Sequence, residues 1–425
     1  MKYEKYKDSG LEWVGKVPSH WRICRFKDFT TLQNIASIDE DNKIGLENIE
    51  GKTGRFIESS SEFEGNGIQF EIGDIVYGKL RPYLQKVWVA TFAGNAVGDF
   101  FVFKAKDICY NKYLFYIMLS DGFTSLCNGA TLGAKMPRVS SDFIRCLHFF
   151  LPPIEEQHAI ASYLDKKCRK INTVIDTQKR KIELLNELKQ TIITNAVTKG
   201  LNPDVATKDS GVEWIGEVPN HWEVCKTLHC LSQPITDGPH ETPELFPEGI
   251  PFVSAEAVSC GNGSIDFNHI RGFISEEYYR ECCKKYTPQK DDVYMIKSGA
   301  TTGKVAMVDT DIKFTIWSPL AVFRCNQQKM LPKFLFHSLT CPFYQVQVEL
   351  GWNYGTQQNI GMRTLEKLYL IVPPINEQHD ILSYLDEKLA DVNSQISKTF
   401  RRIELLQELK QSIITEAVTG KIKVC

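Results

Sequence analysis

The segment that most resembles a catalytic motif is Ser298-Gly-Ala-Thr-Thr-Gly-Lys304, which is rich in glycine and ends in lysine. A phosphate-binding loop of a nucleotide hydrolase has four residues between its glycines and a serine or threonine after the lysine. Here three residues separate the glycines, and Val305 follows the lysine. The segment is therefore predicted to be a turn between strands. Lys297, Ser298 and Lys304 are kept as candidates for contacts with phosphates or bases.

Other residues that could perform chemistry lack the spacing for it. The sequence contains no Gly-x-Gly-x-x-Gly cradle, no His-Glu-x-x-His zinc motif, no helicase-type ATP motif and no amino-methyltransferase signature. His158 and His379 lie beside Glu and Gln but have no further ligands for a metal, and they are predicted to be surface or interface residues. The 13 cysteines include no Cys-x-x-Cys and are predicted to be reduced thiols. The chain is thus predicted to be non-catalytic, with no cofactor or metal of its own.

Polar loops carry the side chains that contact nucleic acids. Asn and Gln form paired hydrogen bonds with adenine, Arg forms them with guanine, and Lys or Arg bind phosphates. Such loops lie at 77–83, 133–138, 237–243 and 356–363. For any single residue, an ordinary solvated loop is the more common alternative. The candidate DNA-binding residues are Lys79, Arg81, Lys135, Arg138, Asp237, His240, Lys297, Ser298, Lys304, Tyr354, Gln357, Gln358, Asn359 and Arg363.

Two long helices are predicted to hold these loops, because one helical pattern occurs twice. Segments 152–200 and 373–421 align without a gap at an offset of 221, with 29 of 49 positions identical. Each begins with two prolines and acidic residues, which suit the first turn of a helix, and a glycine marks its end. About 40 helical residues span roughly 60 Å. A duplicated rod of this length indicates a structural spacer.

Both segments carry apolar residues at alternating spacings of three and four, which is typical of a helix packed along one seam against a partner helix. Gln178, Thr399, Lys189 and Lys410 interrupt the seam. The other copy is the expected partner, and two unrelated amphipathic helices are the less favoured alternative. The seam residues include Leu164, Ile171, Ile175, Ile182, Leu185, Leu385, Val392, Ile396, Ile403 and Leu406.

A second duplication precedes each variable region. Residues 7–27 recur at 208–228 with 12 of 21 positions identical, at an offset of 201. The tryptophans of this motif could stack on bases, but large aromatics flanking a turn more often fix a chain entry in place by burial. A motif shared by both halves also suits a structural role. These tryptophans are Trp13, Trp21, Trp214 and Trp222.

The variable regions, 26–151 and 224–372, present strand and helix signals in the same order. Each is predicted to be an α/β (α+β) domain of mixed sheet and helices, one fold with two specificities. A strand is also predicted over 43–49. The corresponding strand segments are 74–77 and 291–294, 86–89 and 304–308, and 100–103 and 320–323, and the corresponding helical segments are 112–116 and 333–337. The predicted divisions are 1–151, 152–200, a short linker at 201–207, 208–372 and 373–425.

Composition is that of a multi-domain globular protein. The chain has 425 residues, 43% hydrophobic and 24% charged, and a formal net charge of −2. No apolar run is long enough for a membrane helix or a signal peptide, so a cytoplasmic location without membrane association is expected. The near-neutral charge argues against a large nonspecific phosphate-binding surface and leaves local basic patches possible.

The doubled Lys-Asp-Ser-Gly-(Leu/Val)-Glu-Trp motif and the doubled Pro-Pro-Ile-x-Glu-Gln-His before a long helix resemble the specificity (S) subunit of type I restriction–modification systems. The resemblance covers essentially the whole chain. It implies two target recognition domains related by a pseudo-twofold internal repeat, each reading one half of a bipartite site in double-stranded DNA. It also implies that the long helices form an antiparallel coiled coil that separates the half-sites.

The resemblance further implies partners that perform the chemistry. Two methylation (M) subunits would bind S-adenosylmethionine and methylate adenine, and restriction (R) subunits would use ATP and Mg²⁺. The sequence leaves other functions open. The chain could be a coiled-coil adaptor, an enzyme that binds nucleotide at residues 298–304, the specificity chain of a methylation-only complex, or a spare specificity gene product.

Overall fold

The structure, a computed structural model, describes residues 2–11, 14–37, 42–59, 63–133, 135–354 and 358–424. The chain forms two compact units. The first unit contains Met1–Lys181 and Lys398–Cys425, and the second contains Ile182–Ser397. Each unit therefore combines one variable region with a part of each long helix.

The first unit is built from short strands and helices that precede the first long helix. Its strands are β1 (Tyr6–Asp8), β2 (Lys16–Pro18), β3 (Arg22–Arg25), β4 (Thr30–Gln33), β5 (Ala36–Ser37), β6 (Lys43–Ile44), β7 (Gly67–Phe70), β8 (Ile75–Gly78), β9 (Val87–Val89), β10 (Gly94–Val97), β11 (Phe100–Ala105) and β12 (His148–Leu151). Its helices are α1 (Phe26–Phe29), α2 (Asn111–Leu119), α3 (Asp121–Gly129), α4 (Ser141–Cys146) and the beginning of α5 (Ile154–Lys199), with 3₁₀ turns at Leu46–Asn48 and Pro82–Leu84.

The second unit repeats this order. Its strands are β13 (Thr207–Asp209), β14 (Glu217–Pro219), β15 (Glu223–Lys226), β16 (Thr236–Asp237), β17 (Ile250–Val253), β18 (Gly272–Ile274), β19 (Val293–Ile296), β20 (Val305–Met307), β21 (Thr315–Ile316), β22 (Leu320–Phe323), β23 (Asn353–Tyr354), β24 (Gln358–Asn359) and β25 (Tyr369–Val372). Its helices are α6 (Ala255–Cys260), α7 (Glu276–Lys285), α8 (Pro332–Thr340), α9 (Pro342–Leu350), α10 (Met362–Leu365) and the beginning of α11 (Ile375–Val418), with 3₁₀ turns at Thr227–Cys230 and Phe267–His269.

A four-stranded antiparallel sheet forms the centre of each unit. Its strand order is β4-β11-β8-β9 in the first unit and β16-β22-β19-β20 in the second. The middle strands β8 and β19 are buried throughout because apolar side chains occupy both of their faces. Helices α2 and α8 pack against these sheets. The predicted α+β class and the duplication of one fold are confirmed.

The strand register corrects part of the predicted alignment. Ile75 lies opposite Phe103, and Val293 lies opposite Phe323. Because 100–103 corresponds to 320–323, Tyr77 corresponds to Met295, one position beyond the Tyr294 that the sequence suggested. The single strand predicted over 43–49 is also wrong. Only Lys43–Ile44 is extended, and a 3₁₀ turn follows it because Asn48 Oδ1 accepts a hydrogen bond from the Gly45 N–H at 2.8 Å.

Smaller sheets are duplicated as well. The hairpin β1–β2 corresponds to β13–β14, and the antiparallel pair β12–β3 corresponds to β25–β15. A second sheet in each unit contains a parallel pair, β10 with β6 and β17 with β21. The antiparallel pair that ends each variable region leads directly into a long helix.

Within each unit the two long helices run antiparallel along the predicted seam. In the first unit α5 and α11 share a core that contains Leu164, Cys168, Ile414 and Ala417. In the second unit Ile193 and Val197 of α5 share a core with residues of α11. The predicted seam is confirmed by burial. Leu164, Ile175, Leu185, Leu385, Val392 and Ile403 are buried, and Ile171, Ile182, Ile396 and Leu406 are half-buried.

A buried tryptophan connects the two helix ends within each unit. In the first unit Trp21 Nε1 donates to Glu156 Oε1 at 3.2 Å, and a Cβ added to Gly420 would lie 3.1 Å from the indole. In the second unit Trp222 Nε1 donates to Glu377 Oε2 at 2.9 Å. Gly200 packs against its indole in the same way. Each pair therefore fixes the start of one long helix beside the end of the other.

The structural role predicted for these two tryptophans is confirmed, because both side chains are buried. Their position beneath a helix start explains why the motif is the same in both halves. Trp214 does not share this environment, since it is 42% exposed. Trp13 lies outside the described residues.

Candidate nucleic-acid interface

Each unit places a lysine directly after the same strand of its central sheet. Lys79 follows β8, and Lys297 follows β19. The ammonium group of Lys79 lies 3.8 Å from Asp99 Oδ1, and that of Lys297 lies 3.4 Å from Asp237 Oδ2. Asp99 immediately precedes β11, whereas Asp237 ends β16, so the two carboxylates come from different strands of the sheet. The lysine is common to both units, but its anionic partner is not.

Backbone pairing in the first unit brings two predicted loops together. Leu80 and Arg138 form an antiparallel bridge, and the Arg81 N–H donates to the Pro137 carbonyl at 2.8 Å. Lys135 is exposed in the same loop as Arg138. Lys79, Arg81, Lys135 and Arg138 are therefore neighbours at one end of the sheet, as a shared binding surface requires. These four residues are called the first patch.

Arg81 has a backbone conformation that is uncommon for its residue type. Its φ is 51°, in the left-handed region that costs energy for any residue with a Cβ. Such strain is concentrated at functional sites because the surrounding structure must maintain it. In the part of the chain that the structure describes, its guanidinium makes no ion pair. Arg81 therefore presents a cation that is free to bind a ligand.

Arg138 differs, because its guanidinium already holds a carboxylate. Its Nε and one terminal nitrogen each lie 2.9 Å from an oxygen of Asp99. This hydrogen-bonded pair lowers the pKa of the Asp99 carboxyl and raises that of Arg138, and Lys79 lowers the pKa of Asp99 further. Arg138 can contact DNA only by sharing its guanidinium with Asp99 or by releasing it.

The second unit repeats the bridge with different residues. Ser298 pairs with Asn359, and the Gly299 N–H donates to the Gln358 carbonyl at 3.0 Å. Gln358 and Asn359 are exposed, and the carbonyl of Lys297 accepts from Ile360 at 2.9 Å. The bridge between Ser298 and Asn359 in the second unit thus corresponds to the bridge between Leu80 and Arg138 in the first. Lys297, Ser298, Gln358 and Asn359 are called the second patch.

Asp237 lies beneath the second patch and contacts two lysines and a histidine. Its carboxylate is fully buried. It forms a short ion pair with Lys285 and lies 3.4 Å from Lys297 and 3.2 Å from His240, whose ring is exposed. A buried carboxylate cannot reach a base. We therefore assign Asp237 the role of holding cations at the surface rather than contacting DNA itself.

The remaining candidates are dispersed around the second patch. The Lys304 ammonium points to the Ser259 carbonyl at 3.4 Å and lines a separate cavity of about 710 Å³. The segment that ends at Lys304 forms a turn between β19 and β20, as predicted, because the Gly303 N–H donates to the Ile296 carbonyl at 2.8 Å. Arg363 is exposed on α10. Tyr354 belongs to β23, and Gln357 lies outside the described residues.

Two cations that contact residues around the second patch were not singled out from the sequence. Lys285 ends α7 and reaches Asp237 from 48 residues away, and Arg271 packs over Trp317. Neither has a neighbour in the sequence that marks it as functional. Only the tertiary fold brings them to the site.

Among the described residues, no group of three or more His, Cys, Asp or Glu side chains could hold a metal ion. In the same part of the chain, no helix has the length and apolarity needed to cross a membrane.

Two copies of one fold, each with a polar patch after the same strand of its central sheet, define a protein built by internal duplication. The family model for the type I restriction modification DNA specificity domain matches residues 19–184 and 239–402. The chain therefore belongs to the family of type I restriction–modification specificity subunits, whose members are non-catalytic.

Curated relatives agree with this family. The chain is 24% identical over 319 residues to the type I restriction enzyme EcoBI specificity subunit of Escherichia coli, a match that covers 74% of this chain and 66% of that protein. It is 23% identical over 431 residues to the MjaVIII specificity subunit of Methanocaldococcus jannaschii, a match that covers 96% and 94%.

A solved structure shares the fold. A chain from a study of complex assembly and conformational transition in a type I restriction–modification system superposes with a TM-score of 0.66. The match covers 96% of this chain and 99% of the other at 17% sequence identity.

Proposed function

We propose that this chain is the DNA sequence-specificity subunit of a type I restriction–modification complex and that each unit reads one half of a bipartite, gapped target. The observation that carries the proposal is the duplicated patch. Both units place a lysine and a bridged pair of loops after the same strand, yet the bridge is Leu80–Arg138 in one and Ser298–Asn359 in the other. A shared phosphate contact with different base-reading groups yields two unlike half-sites.

The two patches are suited to different bases. Arginine with lysine in the first patch matches the O6 and N7 acceptors of guanine. Asparagine and glutamine in the second patch match the N6 donor and N7 acceptor of adenine. The antiparallel long helices set the distance between the half-sites, as a fixed spacer does in other two-module DNA-binding proteins.

The chain directs chemistry that its partners perform. Two methylation (M) subunits bind S-adenosylmethionine and methylate adenine within the target, and restriction (R) subunits use ATP and Mg²⁺. The net charge of −2 supports this division, because a subunit that encloses DNA together with its partners needs no large basic surface of its own. The cytoplasm is the proposed location of this complex.

The test is a base-resolution methylome. A methylation-free host expresses this chain with its neighbouring methyltransferase gene, and a control strain lacks this chain. The expected result is adenine methylation at a gapped motif with two unlike halves, absent from the control. Exchange of residues 26–151 for those of another specificity chain should change one half only.

Two of the alternatives predict that no new methylation appears. A coiled-coil adaptor would yield no new methylation although the methyltransferase is active with another specificity chain. A spare specificity gene product would also be silent until it is expressed with the correct partner. A methylation-only complex would give the same motif as a full restriction–modification complex, because no restriction subunit is expressed in this test.

A further inference from the structure

Arg271 of the second unit lies over the indole ring of Trp317. The guanidinium carbon is 4.0 Å from the ring centroid, within the range of a cation–π contact. Arg271 immediately precedes β18, and Trp317 immediately follows β21. Both backbones are hydrogen-bonded to β17. The Arg271 N–H donates to the Phe252 carbonyl at 3.3 Å, and the Trp317 N–H donates to the Val253 carbonyl at 2.9 Å. The stack therefore rests on a sheet rather than on a free loop.

The loop that carries Trp317 is hydrogen-bonded to the second patch. The Ser318 N–H donates to the Pro239 carbonyl at 3.1 Å, beside His240. The Lys297 N–H donates to the Pro319 carbonyl at 2.7 Å. Backbone hydrogen bonds therefore connect the loop of Trp317, on which Arg271 stacks, to the second patch.

Arg271 is exposed, and within the described ranges its guanidinium has no carboxylate partner. Two other arginines of this unit are already engaged. Arg324 is bound by Asp292 at 2.7 Å, and Arg280 lies 3.8 Å from Glu276 on the same helix. Stacking on one face leaves the N–H edge of Arg271 free and restricts its rotamers before a ligand arrives. Less entropy is then lost on binding.

We propose that Arg271 is a base-reading residue of the second unit and donates two hydrogen bonds to O6 and N7 of a guanine in its half-site. Trp317 is a positioning residue that keeps the guanidinium plane fixed. The proposal rests on the proposed function, and it adds a guanine to a half-site that the patch residues alone would assign to adenine.

The test determines which sites are methylated by the wild-type chain and by R271A, R271K and W317F, each expressed with the methyltransferase gene. Competition between plasmids that differ in the second half-site measures the discrimination of each chain. The matched control is R280A, which removes an exposed arginine of the same unit that has a carboxylate partner. In R271A one G·C position of the second half-site should become degenerate, with a roughly 5- to 150-fold loss of discrimination there. The first half-site and the spacer should be unchanged.

The conservative variants separate reading from folding. W317F keeps an aromatic face under the guanidinium and should retain the guanine preference, whereas R271K should retain only part of it because lysine lacks the planar pair of donors. R280A should give the wild-type motif. If R271A methylates the wild-type motif with every G·C position intact, Arg271 is not a reader.

Failure of the proposed function has a different signature. It would appear as the absence of a gapped motif with the wild-type chain itself. If R271A loses all methylation, the motifs that R271K and W317F methylate test the proposal instead. A full wild-type motif in R271K would also overturn the proposal.

Discussion

The ammonium group of Lys410 lies 2.9 Å from the amide oxygen of Asn172, and the ammonium group of Lys189 lies 3.1 Å from that of Asn393. These are the same contact in the two units, because Lys410 and Asn393 are 221 residues beyond Lys189 and Asn172. A duplicated antiparallel helix pair produces each contact twice. The lysines that interrupt the apolar seam therefore mark the register of the pair rather than a defect in it.

Lys410 should contribute more stability than Lys189. Its side chain is buried, and it also donates to the Lys52 carbonyl at 2.8 Å. Burial lowers the pKa of this ammonium group. K410M should reduce the free energy of unfolding by about 1–3 kcal/mol, because Asn172 and the carbonyl lose their donor. K189M, at a half-buried site, should cost less than about 1 kcal/mol. Urea unfolding of both variants checks this, and equal losses would contradict it.

His337 should make the second unit sensitive to acid. Burial, together with the smaller effect of the nearby Lys333 ammonium group, lowers its pKa to about 4. Neither ring nitrogen has a hydrogen-bond partner within the described residues. An unfolded histidine is protonated near pH 6.5, so the folded state loses relative stability as the pH falls from 6.5 toward 4. The full stability is present above pH 6.5. Between pH 7 and pH 5 the loss from this residue should be about 2 kcal/mol.

The first unit provides the control for His337. The equivalent residue is Tyr116, whose hydroxyl donates to Asp165 Oδ1 at 2.8 Å. H337Y should remove the titration and place a hydroxyl near Asp386, the counterpart of Asp165. Unfolding of the wild type and H337Y at pH 7 and pH 5 measures the difference. Parallel pH dependences for the two chains would show that His337 is not the acid-sensitive group.

The sequence was sufficient to predict the long helices and the duplication. Helices predicted from 152 and 373 begin at Ile154 and Ile375 in the structure, because Pro-Pro, acidic residues and terminal glycines are local signals with local causes. The central strands and α2 were also predicted correctly. The sequence could not show that the alignment of Tyr77 with Tyr294 is wrong by one residue. Similar residues occur at neighbouring positions of both strands, and only cross-strand pairing fixes the register.

The site was only partly predictable. Loops that bridge in the structure, such as those of Ser298 and Asn359, were both recognised from their polar residues. The sequence did not indicate that Asp237 is buried or that Arg138 is held by Asp99. These facts depend on which strands are neighbours in the sheet. Lys285 and Arg271 were missed for the same reason, because a single cation in a sequence has no local feature that distinguishes it from a solvated one.

Glu156 should be a structural anchor of the first unit. It is 9% exposed, accepts from Trp21 Nε1 at 3.2 Å and lies 2.9 Å from His20 Nε2. E156A should lower the free energy of unfolding by about 1–3 kcal/mol, because the buried indole N–H is left without an acceptor. The Glu377 side chain is 39% exposed, so E377A should lower the free energy of unfolding by about 1 kcal/mol or less. Thermal unfolding of the two variants makes the comparison. A larger loss in E377A would show that burial does not decide the effect.

Lys79 and Lys297 should act as equivalent phosphate contacts. Their side chains are 26% and 12% exposed, and each lies beside a carboxylate that orients it. K79A and K297A should weaken DNA binding by the methylation complex without changing its target, because a phosphate contact carries no base information. Each should reduce the slope of log K against log salt by about one. K104A and K284A, exposed lysines paired with glutamates, are the matched controls and should leave the slope unchanged. Filter binding over a range of salt concentrations measures the slope. If either patch variant changes the methylated motif while the slope stays constant, that lysine reads a base instead of holding a phosphate.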